Sequence, residues 1–137
     1  MPGMTPSDHL EHLLEQVSTR IGDPAPRVYA RLFDESPHLL PLFVGDRTGS
    51  VRGEMFLRAL DTLVDLAAGR PSAPGMIASE RVTHGHNGID AAQFDRFFQL
   101  IGEVFREALG GDWSPGFDST WRLLMDRVAA IHGHASA

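Results

Sequence analysis

His84 and His86 stand two residues apart at the end of the stretch Met76-Ile-Ala-Ser-Glu-Arg-Val-Thr-His84. An imidazole nitrogen can ligate a transition metal or move a proton. On a helix a two-residue separation turns the side chains roughly 200° apart. The two histidines therefore cannot face one metal ion while that segment stays helical. Tyr29 is the only tyrosine, and on an apolar helix face its hydroxyl needs a partner. Arg52 could hydrogen-bond an anion or simply meet solvent. His9 and His12 read as a solvated face near the chain start, and His132 and His134 as a pair on a frayed tail. The acids are dispersed, and spacing gives no Ser-His-Asp arrangement. With no cysteine in the chain, disulfides, zinc ribbons, iron–sulfur clusters and thiol catalysis are excluded.

These side chains must be positioned by helices, because no period-two run bounded by turns is present. The first helix is expected from about Ser7 to about Ile21, with Leu10, Leu13, Leu14 and Val17 on one face. Gly22-Asp23-Pro24 breaks and restarts the chain. A second helix carries Val28, Tyr29, Leu32 and Phe33 and stops at Ser36-Pro37. His38–Phe43 reads as a tight corner and Gly45–Ser50 as a polar loop. The third long helix starts near Ser50, with Phe56, Leu60, Leu63, Val64 and Ala67 as its apolar face. Gly69–Gly75 is expected to be a loop between helices. Asp90-Ala-Ala-Gln93 resembles a capping box. It opens the clearest helix, with Phe94, Phe97, Phe98, Ile101, Phe105 and Leu109, stopped by Gly110-Gly111. Ser114-Pro115 starts the last helix, with Phe117, Trp121, Leu124, Val128 and Ile131.

At 137 residues, 42% hydrophobic and 22% charged, the chain is expected to form one globular domain. Its core should span about residues 7–132, between frayed termini. The net charge of −6 argues against nucleic acid as a partner. The start has no basic segment and no apolar run, so no secretory signal is expected. No apolar stretch approaches the ~20 residues of a membrane span. A cytoplasmic protein without a membrane partner is the expectation, and no sequence signal addresses oligomeric state.

The ordered set Val28-Tyr29-Ala-Arg-Leu-Phe33, Pro37, Pro41-Leu-Phe43, His84 with Gly88, Phe94, Gly110 and Trp121 resembles a single-domain bacterial haemoglobin, from about Leu10 to Ile131. The resemblance implies an all-α, globin-like fold of six to seven helices, not an up-down bundle. It implies haem b as cofactor, with His84 as the iron ligand. His84 keeps the family spacing to Gly88 and Phe94, and His86 does not. Phe43 matches the phenylalanine that wedges the porphyrin, and Tyr29 the donor to a bound gas. The apolar stripe through Phe56 and Leu60 puts Arg52 at the gating position. A slip by one would place Gly53 there and Leu57 over the iron, but leaves Asp61 on the apolar face. The expected cofactor-binding residues are thus Tyr29, Phe43, Arg52, Phe56, His84 and Phe94. The implied function is reversible binding of dioxygen or nitric oxide. Nitric oxide dioxygenation with a separate reductase is the enzymatic version. The alternative is a haem-free sensing or interaction module of the same fold. Two departures matter. Arg52 replaces the family's usual Gln or His, and Met125 stands where a proximal Tyr is common. No Gly-rich phosphate loop is present, so any turnover is expected to draw electrons from elsewhere.

Overall fold

A computed structural model describes residues 3–132. The expected frayed tail beyond His132, with His134, lies outside the described residues. Among the described residues there are six α-helices and no strand: α1 Pro6–Ile21, α2 Ala25–Glu35, α3 Ser50–Ala67, α4 Ala73–His86, α5 Ala91–Leu109 and α6 Pro115–Ala130. Pro37–Phe43 forms a 3-10 corner between α2 and α3, and Gly110–Asp112 a 3-10 turn before α6. The all-α expectation holds, with the boundaries of α1, α2, α5 and α6 close to those read from pattern.

α5 is the centre of the packing and touches α1, α2, α4 and α6. Its strong apolar face explains this, since Phe94, Phe98, Leu100, Ile101, Val104, Phe105 and Leu109 are all buried. Asp90 caps it by accepting a hydrogen bond from the Gln93 N–H at 2.8 Å, which satisfies one of the helix's free N-terminal donors. Phe105 meets Trp121 of α6 edge-on at 5.5 Å, the aromatic base expected from the pattern. Gly102 lets the two helices approach. A Cβ there would lie 2.1 Å from Trp121 Nε1.

α4 differs from expectation. It begins at Ala73 and runs through Gly85 to His86, so the loop before it is shorter than Gly69–Gly75. Pro74 falls in the first turn, where a missing N–H costs nothing. Its far end is closed in a specific way. Gly88, at φ 86°, takes the left-handed conformation. Ile89 N–H then donates to the His84 carbonyl at 2.9 Å, and Gly88 N–H to the Gly85 carbonyl at 3.1 Å. This paired closure fixes the last turn, the turn that carries His84.

Candidate functional site

A cavity of about 510 Å³ opens between α2, the corner, α3, α4 and the start of α5. That volume lies within the range of cofactor-sized sites, ~300–1,000 Å³. Its walls are mostly apolar: Leu32, Leu39, Met55, Ile77, Phe97 and Phe98 contribute to them. The structure brings Tyr29, Phe43, His84 and Phe94 to this cavity. It does not bring Arg52 or Phe56.

Tyr29 reaches the wall from α2 because it shares an apolar face with Val28 and Leu32, all buried. Its ring packs against Phe97 at 5.4 Å, Phe43 at 5.8 Å and Phe33 at 6.0 Å. The residue is 3% exposed, and its hydroxyl is buried with no hydrogen-bond partner in the protein. A buried, unpaired hydroxyl costs roughly 1–3 kcal/mol, a cost that a polar partner entering the cavity would relieve. Burial pushes its pKa well above the ordinary tyrosine value. Arg52 opposes that shift and Asp46 adds to it. The hydroxyl is therefore a donor throughout the neutral range.

His84 lines the cavity from the last turn of α4. Its Nδ1 lies 2.7 Å from the Glu80 carbonyl oxygen. A carbonyl only accepts, so Nδ1 carries the proton and Nε2 of the neutral ring keeps its lone pair. The ring is further held by Phe94, edge-on at 5.3 Å. Behind Phe94 lies the Arg81 guanidinium, 4.7 Å from the ring centre. Arg81 is in turn bonded to Asp95 at 2.5 Å and to the Val128 carbonyl at 2.6 Å. His86 is exposed and off the cavity, as helical spacing from His84 requires.

α3 departs from the expected register. Phe56 is 1% exposed and buried in the core. The helix meets the cavity with Val51, Met55, Arg58, Ala59 and Thr62, so neither Arg52 nor Gly53 lines it. Asp46 explains where Arg52 goes. Its carboxylate accepts from the Val51 and Arg52 N–H groups at 3.2 and 3.0 Å and from Arg52 Nε at 2.9 Å. Arg52 Nη2 also donates to the Asp46 carbonyl at 3.1 Å. The guanidinium is thus held at the start of α3. Burial pushes the Asp46 carboxyl up, but these donors and the Arg52 charge together hold it below its ordinary pKa.

Pattern reading missed Asp46, Arg58, Glu80 and Gln93. Asp46 lay in a segment read only as polar loop. Glu80 could have been found, since it is four residues before His84 and so on the same helix face. Gln93 lines the cavity; Ser36 Oγ donates to its Oε1 at 3.2 Å. Met125 is partly buried against the core and does not line the cavity. Among the described residues, no helix is long and apolar enough to cross a membrane.

A sequence model of the family described as Globin matches residues 26–131. No curated protein matches the chain, and no solved structure matches it.

Proposed function

The chain belongs to the globin family, and from that premise we propose that it holds one haem b in this cavity through His84 and binds a small diatomic gas beside Tyr29. One observation carries the reading: an apolar cavity with His84 on its α4 wall and the buried, unpartnered Tyr29 hydroxyl on its α2 wall. A cavity filled by side chains would have favoured the haem-free interaction module instead.

A bound haem would supply an iron able to bind dioxygen or nitric oxide reversibly. The chain's own residues do the rest. The Glu80 carbonyl fixes the His84 ring and leaves Nε2 as the atom that would hold the iron. Phe94 and Phe43 would give an apolar guest aromatic walls to pack against. Tyr29 donates a hydrogen bond to a polar gas, and the rings around it keep water out. Arg58 lines the cavity, is exposed, and makes no ion pair among the described residues. It suits the cofactor's carboxylates at the mouth. Arg52, held by Asp46, does not gate the ligand in this reading. Nitric oxide dioxygenation is the enzymatic extension, drawing one electron per turnover from a separate reductase.

The test is haem titration of the purified chain, followed by ferric, ferrous and carbonmonoxy spectra. A sharp Soret band saturating at one haem per chain is the expected result. Unsaturable, broad absorbance of loosely associated haem would reject the reading.

A further inference from the structure

Glu80 stands one helical turn before His84, and both of its acceptors converge on one nitrogen. Its backbone carbonyl oxygen lies 2.7 Å from His84 Nδ1. Its carboxylate Oε2 lies 3.6 Å from the same atom. We propose that Glu80 is a positioning residue that acts through His84: its carboxylate polarises the Nδ1–H bond and makes Nε2 a stronger electron donor to the cofactor's iron. This rests on the haem reading above.

Three observations support it. First, the carboxylate is not committed elsewhere. Glu80 forms no ion pair with arginine among the described residues, and its Oε2 lies against the His84 ring instead. Arg81, next along α4, turns to Asp95 and to the face of Phe94. Second, no residue of α6 lines the cavity, and Met125 offers no polar group towards it. The carboxylate beside His84 Nδ1 is on His84's own helix. Third, Glu80 itself lines the cavity, so its charge sits at the wall where the ligand nitrogen works.

The division of labour is set by distance. The carbonyl makes the hydrogen bond that fixes ring orientation. At 3.6 Å the carboxylate is beyond an ordinary hydrogen bond and acts by its field, drawing positive charge onto the Nδ1 side. Carboxylates placed behind metal-ligating histidines raise ligand basicity in this way. With the two side chains 31% and 33% exposed, solvent screens the field, and the effect is a bias rather than proton transfer.

The experiment compares haem-loaded wild type with Glu80→Gln and Glu80→Asp. Gln keeps the backbone carbonyl and side-chain length and removes only the charge. Haem stoichiometry is read from the Soret band, the iron–histidine stretch by resonance Raman on the ferrous form, and the midpoint potential by redox titration. Glu80→Gln should bind one haem, lower the stretching frequency and raise the midpoint. By linkage, the ratio of ferric to ferrous haem affinity should fall by roughly tenfold, the low end for outer partners of ligating histidines. Glu80→Asp, which keeps the charge, should lie between the two and decides the matter if the Gln variant does not fold. An unchanged stretch and midpoint in a fully loaded variant would overturn the proposal while leaving the haem reading intact. Failure of the wild type to take up haem would instead remove the reading beneath it.

Discussion

A single oxygen atom, the Tyr29 hydroxyl, separates two readings of the cavity. If it only fills space, Tyr29→Phe leaves gas release unchanged, because the ring contacts with Phe33, Phe43 and Phe97 persist without it. If it donates to a bound gas, its loss removes a net ~0.5–1.5 kcal/mol. That corresponds to a rise in the dioxygen off-rate of roughly two- to tenfold. Carbon monoxide, less polar when bound, should leave at nearly the wild-type rate. Flash photolysis and stopped-flow displacement on both gases measure this. Equal changes for the two would make Tyr29 a packing residue. That Tyr29, Phe43, His84 and Phe94 meet at one cavity agrees with what the family resemblance implied. Arg52 lies off the cavity lining because Asp46 folds back onto the α3 backbone and holds it, a contact that no periodicity encodes.

Helix ends decide how firmly the site is held. Gly88 and Gly85 lie three residues apart at the end of α4, yet substitution should have opposite signs. Gly88 is left-handed at φ 86°, so Gly88→Ala strains the closure behind His84 by about 1–2 kcal/mol and should weaken haem retention too. Gly85 is helical, and a Cβ there meets nothing within 4 Å, so Gly85→Ala should stabilise by about 0.5–1 kcal/mol. Urea denaturation of both variants checks the signs. Two changes of the same sign would mean that the closure is not rigid. α5 could be read directly, since its apolar residues repeat at helical spacing and are buried. The start of α4 could not, because Pro74 and Gly75 look like loop when the helix start is unknown. Nor could the register of α3 over the cavity. That helix buries Phe56, Leu63, Leu66 and Ala67 in the core and shows Met55, Ala59 and Thr62 to the cavity. A face that borders a cavity need not be filled by large apolar side chains, so its signal in sequence is weak.

Across the whole molecule, folding stability depends on carboxylates held in their charged form. Glu35 sits below its ordinary pKa chiefly through the hydrogen bond from Arg96, and Asp118 through that from Trp113. Asp46 is also lowered, its backbone and guanidinium donors outweighing burial. Each folded-state value lies below the unfolded one, so the unfolded chain binds more protons as pH falls. The stability they contribute is full above the ordinary carboxylate range of about 4 and is lost as pH drops through the folded values. The urea midpoint should be flat from pH 7 to about 5 and fall below about 4. Asp46→Asn should make that fall shallower, and an unaltered slope would mean that Asp46 is not coupled to folding. The same helices meet around the cavity, so a ligand there should bind the folded chain alone and raise its melting temperature. The most direct measurement of the central claim is haem titration of His84→Ala and His86→Ala beside wild type, read by the Soret band. The account predicts that His84→Ala loses stable, stoichiometric haem while His86→Ala keeps it, because His86 is exposed and off the cavity. Retained haem in His84→Ala together with loss in His86→Ala would contradict it.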